Sequence, residues 1–101
     1  MILYNITYNI EKDIEADWID WIRTVHIPKI MDTRCFSSVR LFRLLNVDDE
    51  GSTYSVQLMS DTIEQIQEFL DKSAYTIADE HNSRYKNKHV AFQTVLQELD
   101  L

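Results

Sequence analysis

The sequence has 101 residues, of which 45% are hydrophobic and 27% are charged, and its formal net charge is -7. This length and composition are typical of one globular domain, spanning residues 1–101, and argue against a disordered chain. The acidic balance argues against nucleic acid as a partner, because an acidic chain repels phosphate backbones. No apolar run approaches transmembrane length and no basic start precedes an apolar stretch, so neither a membrane protein nor a signal peptide is predicted.

Three further features of the sequence limit the kinds of site that the chain can form. Cys35 is the single cysteine, so it cannot form an internal disulfide, and a cytoplasmic location is predicted. Gly51 is the single glycine, which excludes glycine-rich phosphate loops. The neighbours Asp79, Glu80 and His81 do not have the spacing that brings helical side chains onto one ion, so no metal and no cofactor are predicted.

The first half of the chain begins with a strand and a helix. "ILYNITYNI" alternates apolar and polar residues, which predicts a strand with one apolar face. Asp13 is a predicted helix cap, and the residues that follow at helical spacing are Ile14, Trp18, Trp21, Ile22 and Val25. Both tryptophans are predicted to be core residues. Pro28 cannot donate a helical hydrogen bond, so the helix is predicted to end at His26, with a kink or a short turn through "PKIMD".

The second half repeats this pattern after a hairpin. "CFSSVRLFRLLNV" predicts a strand, "DDEGS" predicts a hairpin loop, and "TYSVQLMS" predicts a second alternating strand. Asp61 and Glu64 match a capping box before a long helix. The apolar stripe of this helix comprises Ile63, Ile66, Leu70, Ala74 and Ile77. Ser73 and Thr76 are expected to weaken the helix near its middle. "HVAFQTVLQEL" predicts the last strand.

The order strand, helix, strand, strand, helix, strand predicts an α+β ferredoxin-like sandwich. Its four-stranded antiparallel sheet carries two helices on one face, with the first and third strands at the centre. The other face is a mixed surface that includes Leu3 and Met59. A large apolar patch is rarely left in water, so we expect a homodimer whose sheets face each other.

Two histidines are the main candidates for a site. His26 lies at the margin of the first helical stripe, and His81 followed by Tyr85 continues the second stripe. Each imidazole can be a structural residue that bonds a buried group, or a pocket residue able to exchange protons. The crossovers are taken to place the helices parallel, which would bring His26 and His81, both late in their helices, to one end of the sandwich.

Three other residues complete the set of pocket candidates. Tyr54 carries a phenol on the otherwise apolar face of its strand. Gln57 lies on the opposite face of that strand, together with Ser55. Arg43 can bind a ligand carboxylate with two hydrogen bonds, or can pair with an acid of this acidic chain.

The stretches "WIDWIRTVHIPKI", "TYSVQL" and "HVAFQTVLQEL" together resemble an uncharacterised bacterial family, a domain of unknown function. The resemblance covers nearly the whole chain, and its motifs fall on Trp18, Trp21, His26, Pro28, Tyr54, Ser55, Gln57, His81, Phe92 and Thr94. Leu58 and Met59 depart from the pattern, in which an aromatic residue is expected. The resemblance implies the dimeric α+β barrel superfamily, which includes cofactor-free monooxygenases, dehydratases, decarboxylases, haem-degrading enzymes and ligand-binding modules.

Two hypotheses for function follow from these residues. In the first, the chain binds or transforms a small organic molecule in a pocket between helices and sheet. In the alternative, it is a structural or regulatory homodimer without catalytic activity, and the polar residues only bond buried groups. Fold alone does not choose between them, and the sequence leaves open whether the protein is an enzyme.

Overall fold

A computed structural model describes residues 1–45 and 50–101. Its elements are β1 (Ile2–Ile10), a 3-10 turn (Lys12–Ile14), α1 (Glu15–Trp21), a π-helical segment (Ile22–His26), α2 (Ile27–Asp32), β2 (Ser38–Arg43), β3 (Ser52–Ser60), α3 (Ile63–Lys72), α4 (Ala74–Arg84) and β4 (His89–Gln97). Within these residues no helix has the length and apolar character needed to cross a membrane.

The sheet has the order β2–β3–β1–β4, and every neighbouring pair is antiparallel. This confirms the predicted ferredoxin-like fold, with β1 and β3 at the centre. Tyr8 is opposite Tyr54 across the central pair, and both side chains lie on the face that the helices cover. The alternation read from the sequence therefore sets the register, because a shift by one residue would turn the apolar set outward.

The core lies between this sheet face and the helices. Its fully buried side chains include Ile10, Trp18, Ile22, Ile30, Val56, Leu58 and Ile66. Phe36 and Phe69, which the apolar stripes did not include, are also buried and pack edge to face. Trp18 is a core residue as predicted, whereas Trp21 is only half-buried and Val25 is exposed.

The first helix does not end at His26, so that part of the prediction was wrong, whereas the short turn expected through "PKIMD" is present as α2. The chain continues helically through Pro28 to Asp32, because a π-helical segment precedes the proline. The N–H of Ile27 bonds the carbonyl of Ile22, five residues back. This wider turn makes room for the proline ring, and Pro28 then lies in the first turn of α2, where a missing N–H is tolerated.

Helix starts and breaks also differ in detail from the prediction. Asp13 lies in the 3-10 turn and does not cap α1. The cap of α3 is Thr62, whose hydroxyl accepts a hydrogen bond from the N–H of Gln65, so the predicted capping box was displaced by one residue. The long second helix is divided at Ser73 into α3 and α4.

The hairpin between β2 and β3 contains the single glycine. β2 is shorter than predicted at both ends, and part of the predicted loop, Asp48 and Asp49, lies outside the described residues. Gly51 has a φ of 85°, and a Cβ built on it would lie 2.5 Å from the carbonyl oxygen of Ile10. Both the backbone angle and this close approach require glycine.

The helices run antiparallel, which corrects the predicted parallel arrangement. Asp17 in α1 meets Arg84 at the end of α4, whereas Phe36, which follows α2, packs on Phe69 in α3. The physical reason is that β1 and β3 are antiparallel, so the helices that follow them also point in opposite directions.

Candidate functional site

A cavity of about 340 Å³ opens between α4 and the strands β1 and β4. Most of its wall is apolar or aromatic, with Tyr4, Ile6, Ile30, Phe69, Leu70, Ala74, Tyr75, Ile77, Ala78 and Ala91. The polar residues of the wall are Tyr8, His26, His81, Asn82, His89 and Gln93. This combination of apolar surface and a few polar groups is typical of small-molecule sites.

His26 and His81 lie together in this wall, with ring centroids 5.3 Å apart. They meet although their helices are antiparallel, because the first helix continues past His26 and leaves this residue mid-way along it. The π-helical segment carries His26, and such segments are frequent at functional sites. Both side chains are almost fully buried, with 2% of His26 and 1% of His81 exposed.

Each imidazole has one close hydrogen-bonding partner. His26 Nε2 lies 3.1 Å from the hydroxyl of Tyr8, and its ring stacks on Trp21. The phenol donates when this nitrogen is unprotonated and accepts when it carries the proton. The indole N–H of Trp18 donates to His81 Nε2 over 2.8 Å.

Burial keeps both imidazoles neutral at pH 7. It lowers the pKa of His26 from 6.5 to about 4; Glu80 opposes this shift and Lys29 adds to it. Burial lowers the pKa of His81 from 6.5 to about 3, the nearby His26 and His89 lower it further, and Asn82 acts in the opposite direction. Protonation of His81 would also direct a new N–H at the Trp18 donor, which disfavours the charged ring.

Tyr85 packs beside His81 but does not line the cavity. The two ring centroids are 5.4 Å apart, and the Tyr85 hydroxyl donates to Asp17 over 2.8 Å. Arg84 donates to the same hydroxyl. Tyr85 is buried, but its hydroxyl is occupied by Asp17 and Arg84 and the residue is not part of the cavity wall.

Tyr54 and Arg43 form a separate polar cluster with Glu15. Arg43 donates to the Tyr54 hydroxyl, and that hydroxyl donates to Glu15. The hydrogen bond from Tyr54 is the main cause of the lowered pKa of Glu15. Neither residue lines the cavity, so Arg43 is placed for pairing with an acid rather than for binding a ligand there.

Gln57 lies on the opposite face of the sheet. It is opposite Asn5 on β1 and Arg40 on β2, on the side that the helices leave uncovered. It therefore cannot reach the cavity that holds His26 and His81.

Several wall residues were missed by the sequence analysis. Tyr8 shares the apolar face of β1 with Ile6, and this parity could have shown that its hydroxyl points under the helices. His89 begins β4, where its ring bonds the Tyr85 carbonyl and the Asn82 side chain. The sequence carries no signal for the Trp18–His81 bond, since it joins residues 63 positions apart.

Known proteins resemble this fold closely but its sequence only distantly. An ethyl tert-butyl ether d family protein from Bacillus halodurans aligns with 98% of this chain and 100% of its own at 10% identity and a TM-score of 0.69. SnoaB, a cofactor-independent oxygenase from Streptomyces nogalater, aligns with 99% of this chain and 94% of its own at 9% identity and a TM-score of 0.63. The hydroxynitrile lyase from Passiflora edulis aligns with 99% of this chain and 97% of its own at 15% identity and a TM-score of 0.66.

Family membership comes from the sequence itself. A comparison with curated proteins finds no match. The family model described as a domain of unknown function, DUF4286, matches residues 1–99. That match spans nearly the whole sequence, and the structural neighbours share the ferredoxin-like fold described above. The chain belongs to the DUF4286 family.

Proposed function

We propose that this protein binds a small organic molecule, with an apolar body and one hydrogen-bonding group, in the cavity between α4 and the sheet. The observation that carries the proposal is the cavity itself. It encloses about 340 Å³, within the range of small-molecule pockets, and apolar walls surround two buried imidazoles. Solid packing at this position would instead have favoured the structural alternative.

Binding is better supported than acid–base catalysis. A general base is most efficient when its pKa lies near the working pH. His26 and His81 have pKa values of about 4 and about 3, so at pH 7 both are neutral and weakly basic. Among residues 1–45 and 50–101, no carboxylate is hydrogen-bonded to the imidazole ring of either histidine, so none raises its basicity in this way. The structural neighbours named as an oxygenase and a lyase support the proposal through their shared fold.

The test is an NMR titration with two small aromatic probes, ethylbenzene and acetophenone. We expect either probe to shift the resonances of His26, His81 and Ala78. Ala91→Phe, at a half-buried residue of the cavity wall on β4, fills the cavity and should abolish the shifts. Ala16→Phe makes the same change on an exposed residue of α1 outside the cavity, and binding should be retained. Shifts confined to the uncovered sheet face, or no shifts at all, would reject the proposal.

We also propose that the chain forms a homodimer through the uncovered sheet face. On this face the exposed side chains of Phe42, Val90, Phe92 and Leu96 extend across strands β2 and β4. These residues lie on the two edge strands, on either side of polar residues such as Thr7 and Ser55 of the central pair. Exposed apolar side chains gathered on one uncovered face are typical of interfaces. Light scattering should give the mass of a dimer at micromolar concentration.

Two further proposals concern the number of domains and the cellular location. We propose that residues 1–101 form one domain, because β1 and β4 from opposite ends of the sequence pair in one sheet. We also propose a cytoplasmic location, which the single buried Cys35 supports.

A further inference from the structure

The two ring nitrogens of His81 have different roles. The indole N–H of Trp18 lies 2.8 Å from His81 Nε2, and an indole nitrogen can only donate. His81 Nε2 must therefore accept, which means that it carries no proton. In a neutral imidazole the proton then lies on the other nitrogen, so Trp18 fixes His81 in the Nδ1–H form.

That second nitrogen has no acceptor in hydrogen-bonding geometry, although the side chain of the adjacent Asn82 lies near enough to favour the protonated ring. Within the described part of the chain, His81 Nδ1 is the buried side-chain nitrogen or oxygen that has no hydrogen-bond partner. The residue is 1% exposed, so bulk water does not satisfy this N–H. Buried donors in folded proteins are nearly always paired, and an exception calls for a specific explanation. His81 also forms part of the cavity wall.

We propose that His81 Nδ1–H is the anchoring donor of the cavity and that the bound molecule presents an uncharged carbonyl oxygen to it. This inference rests on the proposed function and names the class of ligand. The other polar pair of the inner wall, Tyr8 and His26, is already hydrogen-bonded to itself, and among the described residues His81 Nδ1 is the fully buried side-chain donor that has no partner. The apolar and aromatic wall then packs against the body of the ligand.

Charge selects a neutral carbonyl over a carboxylate. The residues that line the described cavity include neither lysine nor arginine, and the whole chain carries a net charge of -7. A carboxylate would therefore be buried without a cation to pair with, which is strongly unfavourable. A ketone or aldehyde oxygen needs one donor, and that is what the Nδ1–H supplies.

Access to the donor requires a local movement. In the structure Nδ1 is closed off from solvent, and the ring of His89 stands perpendicular to that of His81 with centroids 4.5 Å apart. His89 is itself a cavity residue held by Asn82 and the Tyr85 carbonyl. The carbonyl group reaches Nδ1 by displacing this side chain, while the scaffold of helices and sheet stays in place.

The tautomer can be tested without any ligand by ¹⁵N NMR of the histidine rings. We expect His81 to show a protonated, pyrrole-like Nδ1 and an unprotonated, pyridine-like Nε2. Trp18→Phe removes the fixed donor and should move His81 toward the Nε2–H form that free histidine prefers. The wild-type spectrum is decisive even if this variant is unstable, and a protonated Nε2 in the wild type would overturn the inference.

The ligand class is tested with acetophenone and ethylbenzene, which are similar in shape and differ in the carbonyl oxygen. We expect the wild type to bind acetophenone about tenfold more tightly, the effect of one good hydrogen bond to a buried donor. His81→Phe keeps a ring but removes the donor, so the two affinities should become equal. Equal binding by the wild type would overturn this inference and leave the proposed function standing, whereas no binding of either probe would overturn both.

Discussion

At the scale of single residues, the buried histidines make the stability of the fold dependent on pH. In the unfolded chain both have a pKa near 6.5, and in the fold the values fall to about 4 for His26 and about 3 for His81. The unfolded state therefore takes up protons first as the pH drops below 6.5. The stability contributed by the neutral rings is complete above that pH and is lost on acidification, by up to about 1.4 kcal/mol per pH unit for each histidine.

This is measured by chemical denaturation between pH 7 and pH 5, a range above the ordinary titration of carboxylates. His26→Gln and His81→Gln should each remove about half of the pH dependence, whatever their effect on stability at pH 7. Replacing the exposed Ser83 of α4 by Gln serves as the control and should leave the slope unchanged. A wild-type stability that does not change over this range would show that the rings are not buried as neutral groups.

At the scale of elements, the turn before β3 depends on one glycine. Gly51→Ala should destabilise the fold by about 1–3 kcal/mol, because its φ of 85° disfavours a side chain and the new Cβ would meet the carbonyl oxygen of Ile10 at 2.5 Å. Thermal unfolding of this variant beside Ser52→Ala, its half-buried neighbour, measures the effect. Equal melting temperatures for the two variants would contradict the requirement for glycine.

The elements also show how far the sequence could predict this molecule. Alternation identified β1 and β3 and their buried faces, because a strand pattern with period two is set by local chemistry. The path of the first helix through Pro28 was not predictable in this way, since it depends on a π-helical turn that no residue type specifies. The sequence analysis expected His26 and His81 to approach each other from parallel helices. They do lie close together, with ring centroids 5.3 Å apart, but between antiparallel helices, which depends on tertiary packing that the sequence does not show.

At the scale of the whole molecule, the two proposed functions, ligand binding and dimer formation, lie on opposite faces of the sheet. One face closes over the cavity, and the other carries the surface on which the proposed dimer rests. Because the two lie on opposite sides of one sheet, a change at the interface need not enter the cavity. Ligand binding and assembly are thus separable by mutation, although β1 and β4 contribute residues to both faces.

Phe92→Asp tests the proposed interface most directly. Phe92 is 55% exposed on β4, opposite Thr7 on the uncovered face, and a carboxylate there would have to be desolvated on both subunits of a symmetric dimer. We expect light scattering to show a monomer whose melting temperature no longer rises with protein concentration, as it should for the wild type. Tyr75→Asp places the same charge on α4, at an aromatic residue that is 82% exposed, and should remain dimeric. If the wild type and Phe92→Asp have the same mass, the uncovered face is not the interface, and the exposed apolar residues of β4 need another explanation.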